Sequence, residues 1–521
     1  MSAAQDASAR DGTVRRPEPR GHHHRRAGSF PSALGWTTLG AVLPGTAFLA
    51  AGRRLLGAVT LLLFLGLVAV ALWFGLGHRQ ALLHAATDKG YLLWVVAGIA
   101  VVAVAWIAVI VAGYRMIVPA HTSRGRHVLG GALVLVLVLA VAAPAVAAGR
   151  IVLVSRDFIA QVFDDGRSAT VVDKPNPFGN KQRVNVLLLG GDGGAGREGV
   201  RTDTVIVASI NTRTGDTTLL SLPRNLENLP FPKNSPLAKV YPKGFKAGSE
   251  SESLLNAVYR NGPAQHPGIL GPTDDPGADF LKLGVGEALG LTIDYYVLVN
   301  LDGFSKLVDA LGGITVNVNY YVPVGGEPST GALPDAYIHP GPNQHMDGPT
   351  ALAYARGRFG LTDYDRMARQ RCTIKAIVDA ANPVTLLGRY EKIAATTKNI
   401  VSTDIPSSAL NDFVDLAFLV KDAPIRSVVF DPSVIRPAYP DYNLMRRLVR
   451  KALAPPASAA PTTDDATGTT SSAPATTSAT ATQTGATPSS NPVAELTDAC
   501  AYDRAKAEAA LAAGQPPTKN G

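Results

Sequence analysis

The stretch VNVLLLGGDGGAGREGVRTDTVIVASINTRTGDTTLLSLPR, residues 184–224, contains three short apolar runs separated by turn residues. The runs cover residues 184–189, 204–210 and 217–222. Each is rich in Leu or β-branched residues and is bounded by residues such as Gly, Asn and Asp, which is typical of a buried strand. We therefore predict three buried strands in close succession.

Four charged residues lie between and after these predicted strands: Asp192, Arg201, Asp203 and Arg224. In α/β proteins the ends of buried strands are where ligands bind. Carboxylate oxygens are suitable ligands for Mg²⁺, and the planar guanidinium group binds phosphate oxygens in pairs. The pattern predicts a metal ion together with a phosphorylated ligand.

The glycines of this stretch are not a nucleotide-binding motif. Gly191, Gly193 and Gly196 match G-x-G-x-x-G, but that pattern indicates dinucleotide binding only where a helix follows. The next predicted strand begins near Thr204, which leaves less room than the ten or so residues of a crossover helix. A phosphate-binding Walker motif is also excluded, because no Lys-Ser or Lys-Thr pair follows the glycines.

A second group of arginines lies further along the chain. It comprises Arg356, Arg358, Arg366, Arg369 and Arg371. Arg366 and Arg369 are three residues apart and so share a helix face, and Asp363 and Asp365 lie just before them. Alone, such a run indicates a solvated basic helix held by ion pairs. Together with the first charged group it favours an anion site, because Arg suits bidentate phosphate contacts better than Lys.

Three segments in this order resemble the LytR-CpsA-Psr family. The first is the 184–224 stretch, with its Gly-Gly-Asp, Arg-Thr-Asp-Thr and Ser-Leu-Pro-Arg motifs. The second is YYVLVNLDGFSKLVDALGG at 295–313, and the third is ALAYARGRFGLTDYDRMARQ at 351–370. Three ordered matches are far more specific than one. The resemblance covers about residues 183–453, half of the chain.

The resemblance implies roles for particular residues. Asp192 and Asp203 match the family's metal-associated carboxylates, for Mg²⁺ or Mn²⁺. The residues that match arginines holding a lipid-linked pyrophosphate are Arg201, Arg224, Arg356, Arg358, Arg366 and Arg369. Among these residues, Arg201, Asp203 and Arg224 are the implied catalytic group. One position departs from the family, because Asn225 stands where many members have Asp, so that it can hydrogen-bond but carries no charge.

The resemblance also implies an activity. The chain is expected to be a membrane-anchored phosphotransferase that attaches an anionic glycopolymer, teichoic-acid-like or arabinogalactan, from a polyprenyl-pyrophosphate carrier to a peptidoglycan acceptor. Its Ala, Gly and Arg content is typical of a high-GC bacterium such as an actinobacterium. An apolar groove is expected for the prenyl chain. Two alternatives stay open. One is a polyprenyl-pyrophosphate hydrolase, and the other is a non-catalytic membrane protein that binds wall polymer or regulates transcription indirectly.

Residues 31–150 are predicted to form a membrane region. Uncharged apolar runs at 55–77, 91–113 and 128–149 are long enough to cross a hydrocarbon core of about 30 Å. Residues 33–52 contain Pro44, so whether they span, dip in or lie at the interface stays open. The basic tail, residues 1–30, predicts a cytoplasmic N-terminus and an extracytoplasmic remainder.

The net charge of +8 suits anionic lipid, an anionic polymer or nucleic acid. The membrane runs favour the first two partners, the lipid bilayer and a wall polymer. No DNA-binding helix-turn-helix is evident, and the arginines lie outside the cell in the predicted topology. We therefore expect no nucleic-acid partner.

The remainder is predicted as a connector (151–182), an α/β domain (183–453), an Ala/Thr/Ser/Pro-rich linker (454–492) and a short tail (493–521). Strands alternating with helices predict an α/β/α layered domain with a central mixed sheet. Further strands are predicted at 295–300, 314–318 and 427–430, and helices at 251–259, 279–289, 302–311, 349–356, 365–381 and 503–513. Residues 228–246 are Pro-rich and are predicted to be irregular and to border a binding site.

The chain has only two cysteines, which excludes a disulfide-rich scaffold and a cysteine-based zinc site. Cys372 lies in the second arginine cluster and Cys500 in the tail. On the exported side of a membrane the two can form one disulfide that pins the tail to the domain, or remain as two free thiols.

Overall fold

The computed structural model describes residues 27, 29–77, 89–119, 122–163, 166–171, 177–192, 200–381, 401–454 and 493–519. The predictions made for residues 1–26, for Gly193 and Gly196, and for nearly all of the 454–492 linker lie outside the described residues. The chain divides into two compact units. One unit is Met1–Arg79 with Trp94–Arg150, and the other is Gln80–Leu93 with Ile151–Gly521.

The N-terminal unit is helical. Its helices are α1 (Phe30–Val42), α2 (Thr46–Ala50), α3 (Arg54–Gly77), α4 (Lys89–Ile117) and α5 (Arg124–Val162). The first residues of α4 and the last residues of α5 belong to the other unit. Three segments, Arg54–Phe74, Gly90–Ile117 and Arg124–Val154, are long and apolar enough to cross a membrane, judged by length and composition. The helices α3, α4 and α5 contain the three predicted apolar runs.

The 33–52 region, which the sequence leaves open, forms two short helices. The helix α1 has 13 residues and α2 has 5, with a break from Leu43 to Gly45. At 1.5 Å per residue, α1 is about 20 Å long, which is shorter than a hydrocarbon core of about 30 Å. Neither helix is long enough to span on its own.

The larger unit is built on a seven-stranded mixed sheet. The strands, in chain order, are β1 (Arg183–Gly191), β2 (Thr202–Asn211), β3 (Thr217–Leu222), β4 (Tyr295–Asn300), β5 (Ile314–Val318), β6 (Val322–Val324), β7 (Ala336–Ile338), β8 (Gly341–Met346), β9 (Val401–Thr403), β10 (Ile425–Val429) and β11 (Val493–Glu495). The main sheet has the order β11-β10-β3-β2-β1-β4-β9, and β5-β8 and β6-β7 form two small antiparallel pairs. In the main sheet β1 is parallel to β4 and β3 is parallel to β10, whereas the other neighbours are antiparallel.

Helices cover both faces of this sheet. They are α6 (Pro236–Val240), α7 (Leu255–Gln265), α8 (Pro276–Leu289), α9 (Leu301–Leu311), α10 (Gly348–Arg356), α11 (Asp363–Ala380), α12 (Leu410–Lys421), α13 (Tyr442–Leu453), α14 (Leu496–Ala499) and α15 (Arg504–Ala513). On one face, Leu187 and Val207 pack with residues of α8 and α13. On the other, Ile206 packs with Ile374 of α11 and Leu496 of α14.

This alternation confirms the predicted layered α/β domain with a mixed central sheet. Neighbouring residues of β2 point to opposite faces because side chains alternate along a strand. The three strands of the 184–224 stretch lie side by side at the centre, and both of their faces are buried, as the apolar runs predicted. Placement of this domain outside the cell remains a prediction.

Two element predictions need correction. The helix predicted at 251–259 is a 3-10 turn, Glu250–Glu252, followed by α7 from Leu255. The Ser253 hydroxyl is hydrogen-bonded with the backbone of Ala247, which holds this segment out of a continuous helix. The Pro-rich 228–246 segment is not wholly irregular, because Ser235 caps α6 and Pro236 occupies its first turn, where proline is tolerated.

The tail returns to the domain and is covalently attached. Cys372 of α11 and Cys500 form a disulfide with an S–S distance of 1.99 Å, so of the two states left open by the sequence the structure contains the bonded one. The strand β11 adds to the sheet edge beside β10. The side chain of Asn317 donates to the Cys500 carbonyl at 3.0 Å, and Leu496 is fully buried. The disulfide thereby joins the tail to α11, the helix that also carries Arg366.

Candidate active site

The charged residues lie close together at one end of the central strands of the sheet. The parallel strands β1 and β4 and the nearby β3 all end there, and β2 begins there because it runs antiparallel to β1 and β3. Asp192 follows β1, Arg224 lies just after β3, and Asp203 is at the start of β2. Ligand sites of open α/β sheets lie at the carboxyl ends of parallel strands, where this cluster forms.

Asp203 and Arg224 face each other across the β2–β3 pair. The register aligns Val205 with Leu222, so two further steps place Asp203 opposite Arg224. The Arg224 Nη1 donates to Asp203 Oδ1 at 3.0 Å, and the Asn256 amide donates to the same oxygen at 3.1 Å.

These contacts set the ionisation of the pair. Burial raises the pKa of Asp203, but the Arg224 charge and the Asn256 bond outweigh it and hold that pKa below its usual range. Burial lowers the pKa of Arg224, and the charge of Asp203 more than offsets this and raises it. Both groups are therefore charged at neutral pH.

Asp192 closes the end of β1 against Arg201. The Asp192 amide donates to the Arg201 carbonyl at 3.0 Å, and the Arg201 amide donates to Asp192 Oδ1 at 2.8 Å. The preceding Gly191 leaves no room for a side chain, because a Cβ there would lie 2.8 Å from Val200. The guanidinium of Arg201 pairs with Glu252, which also accepts from Arg260.

The N-terminus of α11 supplies the third part of the cluster. Arg366 lies 3.0 Å from Asp363 Oδ1 and donates to the Asp203 carbonyl at 3.1 Å. The same Asp363 oxygen lies 3.4 Å from Arg224 Nε. Arg366 is only 3% exposed, and burial lowers its pKa to about 10, which still leaves it charged at neutral pH. The neighbouring Asp365 is engaged differently, in a capping box with Thr362.

A cavity of about 380 Å³ opens behind this cluster. It lies between the sheet and α9, α10 and α11, and most of its walls are apolar, including Leu188, Val297, Phe304, Leu352 and Ile377. Its charged lining residues are Asp192, Asp203, Arg356, Arg358 and Arg366. The sequence predicted an apolar groove in this domain, and the structure contains an apolar chamber that meets the predicted site residues.

The predicted arginines differ in their surroundings. Arg356 is the last residue of α10, and Arg358 lies in the loop before α11. Both line the cavity, and Arg358 forms no salt bridge with another described residue. The two are exposed and half-buried, respectively. The half-buried Arg358 guanidinium is accessible to an anion at the cavity. By contrast, Arg201 and Arg224 are each shared with a carboxylate of the protein.

The structure does not bring Arg369 to the cavity, which corrects its expected contact with pyrophosphate. Arg369 is 3% exposed. Its guanidinium donates to the Tyr354 carbonyl at 2.7 Å, to the Tyr320 hydroxyl at 2.8 Å and to the Gly357 carbonyl. Because all three nitrogens are used inside the protein, Arg369 holds the loop after α10 in place. Arg358 is the next residue of that loop after Gly357.

The carboxylates of Asp192 and Asp203 are suitable ligands for a magnesium ion that is also bound by substrate phosphates. Both hydrogen bonds of the Asp203 carboxylate from described residues reach Oδ1, so Oδ2 has no described donor. Among the described residues, no group of three or more His, Cys, Asp or Glu forms a ready metal site. Mg²⁺ is commonly held by one or two carboxylates and substrate phosphates, and Asp192 with Asp203 match that donor set.

Sequence reasoning missed two polar partners of the site. Glu252 forms salt bridges with Arg201 and Arg260. The hydrogen bond from the Asn261 amide and the charges of these two arginines hold the pKa of Glu252 below its usual range. Asn256 binds Asp203. No local pattern identifies Glu252, because it acquires its partners only when the segment around α7 packs beside β2. A polar residue on the inner side of an amphipathic helix is the one signal that points to Asn256.

These features define the class of protein: an α/β protein with an apolar chamber that opens at a cluster of carboxylates and guanidiniums. A chamber of this kind suits an amphiphile with an anionic head group. The LytR_cpsA_psr family model matches residues 159–431. That is more than half of the chain, and the chain belongs to this family.

Individual relatives are similar over part of their length. Biofilm regulatory protein A of Streptococcus mutans serotype c is 28% identical over 255 residues, which are 47% of this chain and 54% of that protein. The polyisoprenyl-teichoic acid–peptidoglycan teichoic acid transferase TagU of Enterococcus faecalis is 31% identical over 232 residues, 43% of this chain and 63% of that protein. The chain thus spans between half and two thirds of these curated relatives. The crystal structure of B. subtilis TagV aligns with 52% of this chain and 96% of its own at 24% identity, with a TM-score of 0.36.

Proposed function

We propose that this protein is a membrane-anchored phosphotransferase that moves a glycopolymer from a polyprenyl-pyrophosphate carrier to peptidoglycan. The observation that carries the proposal is the cavity of about 380 Å³, with apolar walls and a charged cluster that includes Asp203, Arg358 and Arg366. An apolar chamber suits a prenyl chain, and guanidiniums suit the pyrophosphate to which that chain is joined. A teichoic acid transferase among the relatives supports the same reading.

In the proposed reaction an acceptor hydroxyl attacks the phosphorus on the polymer side of the pyrophosphate. A new oxygen–phosphorus bond forms, the bridging oxygen–phosphorus bond breaks, and polyprenyl monophosphate leaves while the hydroxyl proton passes to solvent. The protein's part is to position the groups and to neutralise charge, because phosphoryl transfer requires little covalent chemistry from the enzyme. In this proposal Arg358 and Arg366 neutralise the leaving phosphate.

Arg224 has a more central part in this proposal. Its salt bridges with Asp203 and Asp363 fix the guanidinium at the junction of β3 and α11. Mg²⁺ or Mn²⁺, held by Asp192 and Asp203, would supply further neutralisation of the pyrophosphate oxygens. Asn225, where many family members have Asp, is exposed, so this chain is proposed to work without a carboxylate at that position.

The proposed location follows from the helices of the N-terminal unit. We propose three membrane spans with a cytoplasmic N-terminus, a topology in which the α/β domain lies outside the cell, on the side of the wall. A lipid-linked donor stays in the bilayer, so an anchored enzyme meets it without leaving the membrane. The disulfide between Cys372 and Cys500 supports this location, because structural disulfides persist in oxidising compartments.

The test uses the full-length chain in detergent with a short-chain polyprenyl-pyrophosphate saccharide, Mg²⁺ and a peptidoglycan oligomer. We expect polyprenyl-phosphate release and polymer attachment that both require the oligomer, and a loss of about a hundredfold in the Arg224→Ala variant. The matched control is Arg213→Ala, which removes an exposed arginine from the β2–β3 turn and should leave turnover unchanged. Release without attachment, at the same rate with and without the oligomer, would identify a hydrolase. Binding of the donor without release would identify a non-catalytic binder.

A further inference from the structure

A second large depression lies on the same domain, lined by residues separate from those of the cavity described above. It has a volume of about 760 Å³ and lies between the Pro-rich 228–246 segment and the start of α13. We call it the lysine–tyrosine groove, because its lining includes Lys233, Lys239, Lys243, Tyr241, Tyr439 and Tyr442. Its size lies within the range of small-molecule and cofactor sites.

The floor of this groove is a preformed aromatic cluster. The Tyr241 ring lies 5.6 Å from the Phe231 ring and 5.1 Å from the Phe245 ring, centroid to centroid. The Tyr241 hydroxyl donates to Gln265 at 2.8 Å, and the Tyr442 hydroxyl donates to the Glu227 carbonyl at 2.6 Å. A surface held by packed rings and hydrogen bonds loses little conformational freedom when a molecule binds.

The rim of the groove is positively charged. Lys233, Lys239 and Lys243 are exposed and form no salt bridge with another described residue. Glu287 is the acidic residue of the lining, and Arg446 neutralises it with a contact of 2.9 Å to its carboxylate. Three ammonium groups on flexible side chains suit an anion whose charges are spread along a chain. The charged cluster at the apolar cavity, called the transfer site below, instead holds its arginine guanidiniums in fixed positions.

An exposed aromatic ring accompanies these lysines. Tyr439 is 84% exposed and belongs to the loop that leads into α13. An aromatic face in solvent, beside cations and above a groove, is the arrangement that packs against the C–H face of a sugar ring. The groove therefore combines contacts for sugar rings with contacts for dispersed negative charge.

The groove adjoins the transfer site along the chain. Arg224 and Asn228 are four residues apart, so their Cα atoms are separated by at most about 15 Å. Two backbone hydrogen bonds hold the connecting turn in place. The backbone N–H of Glu227 donates to the Pro437 carbonyl at 2.9 Å, and the backbone N–H of Asn256 donates to the Arg224 carbonyl at 3.0 Å. A saccharide chain that starts at the pyrophosphate can reach the groove within a few sugar units.

We propose that the lysine–tyrosine groove binds an anionic saccharide chain next to the transfer site. The binding itself needs only the groove, whereas its purpose, to hold one polymer substrate during transfer, rests on the proposed function. Anionic saccharide chemistry has two sources here: phosphate groups of a donor polymer, or carboxylates of a peptidoglycan acceptor. The groove recognises the chemistry that the two share, and the test distinguishes them.

The test measures binding to the full-length chain by calorimetry with three probes: a glycerol-phosphate oligomer, a muramidase-released peptidoglycan disaccharide-peptide, and neutral chitotetraose. We expect at least one anionic probe to bind more tightly than chitotetraose and to weaken as salt rises. Lys239→Ala/Lys243→Ala should lower its affinity about fivefold to tenfold, and Tyr439→Ala should lower it by a similar factor. The probe that responds identifies the donor or the acceptor as the source.

Two controls separate this proposal from the proposed function. Lys421→Ala/Lys451→Ala removes two exposed lysines elsewhere on the domain and should leave binding unchanged. Arg224→Ala should lower transfer about a hundredfold and retain binding of the responsive probe. Saccharide binding that is equal in the groove variants and in wild type would overturn the proposal. So would binding of anionic lipid vesicles that depends on Lys239 and Lys243 when none of the three saccharides binds.

Discussion

Asp363 Oδ1, in the first turn of α11, lies 3.4 Å from Arg224 Nε, just beyond the end of β3. The same oxygen lies 3.0 Å from Arg366, whose guanidinium also reaches the backbone of Asp203, 163 residues earlier in the chain. These contacts join the two arginine groups of the sequence into one site. The helix that carries the second group is thereby held against the strands that carry the first.

The first prediction concerns this link. Asp363→Asn keeps the shape of the side chain but removes the charge that orients Arg224 and Arg366, so we expect kcat/KM for polyprenyl-phosphate release to fall about tenfold to a hundredfold. The control is Asp365→Asn, which makes the same change two residues away within the capping box. It should lower stability by about 1 kcal/mol and leave turnover close to wild type. Equal losses of turnover in both variants would show that helix capping, and not the link, matters.

The second prediction separates two arginines that the sequence treats alike. Arg358→Ala removes an accessible cation, so we expect weaker binding of inorganic pyrophosphate with little change in the free energy of unfolding. Arg369→Ala leaves the carbonyls of Tyr354 and Gly357 without their donor and should lower that free energy by about 3 kcal/mol. Pyrophosphate titration and denaturant unfolding of both variants provide the measurement. A stable Arg369→Ala protein that has lost pyrophosphate binding would restore its expected role in the site.

The third prediction tests the apolar chamber. Leu352 lines the cavity, and Leu352→Trp should fill part of its volume. We expect affinity for a long-chain prenyl pyrophosphate to fall about tenfold, because the displaced prenyl carbons lose their burial, whereas affinity for inorganic pyrophosphate stays the same. Leu419→Trp, at an exposed position of α12, is the matched control. If the two probes lose affinity together, the substitution has disturbed the charged cluster and the chamber is not where the chain binds.

The fold was predictable where its elements are determined locally. The runs that became β1, β2 and β3 are apolar, short and bounded by turn residues, so their burial can be read from the sequence. The strands β9 and β11 have three residues each and no such pattern. They are strands because β4 and β10 offer unpaired backbone groups beside them, and that depends on the tertiary structure.

The same distinction explains the site. Asp203 and Arg224 flank predicted strands, so their proximity follows from strand pairing. Arg366 and Arg369 share a helix face by spacing, yet one lines the cavity and the other binds backbone carbonyls of the preceding loop. Spacing determines the face of a helix, whereas the path of a loop packed against that face determines which guanidinium stays accessible. No local pattern contains that path.

The fourth prediction concerns the disulfide between Cys372 and Cys500, which closes a loop with a sequence separation of 128. Cys500→Ser should lower the free energy of unfolding of the α/β domain by about 2–4 kcal/mol and make the tail accessible to protease. Wild type in reducing buffer should behave like the variant, and the variant should not respond to reductant. If the tail stays protected in both cases, the hydrogen bonds of Asn317 and the burial of Leu496 hold it without the covalent bond.

The last prediction follows from the lowered pKa of Asp203. The folded-state pKa lies below the ordinary value of 3.8, so the carboxylate contributes stability that is fully present above about pH 4 and is lost as the pH falls through the folded pKa. The free energy of unfolding of wild type should therefore exceed that of Asp203→Asn by a constant amount between about pH 5 and pH 7, and the difference should shrink in more acid solution. All four tryptophans precede residue 151, so tryptophan fluorescence reports on the N-terminal unit, and unfolding of the α/β domain is better followed by pulse proteolysis with an acid-active protease. A difference that grows toward low pH would mean that burial, and not Arg224 and Asn256, controls this carboxylate. In that case Asp203 would be a poor ligand for a divalent cation at neutral pH.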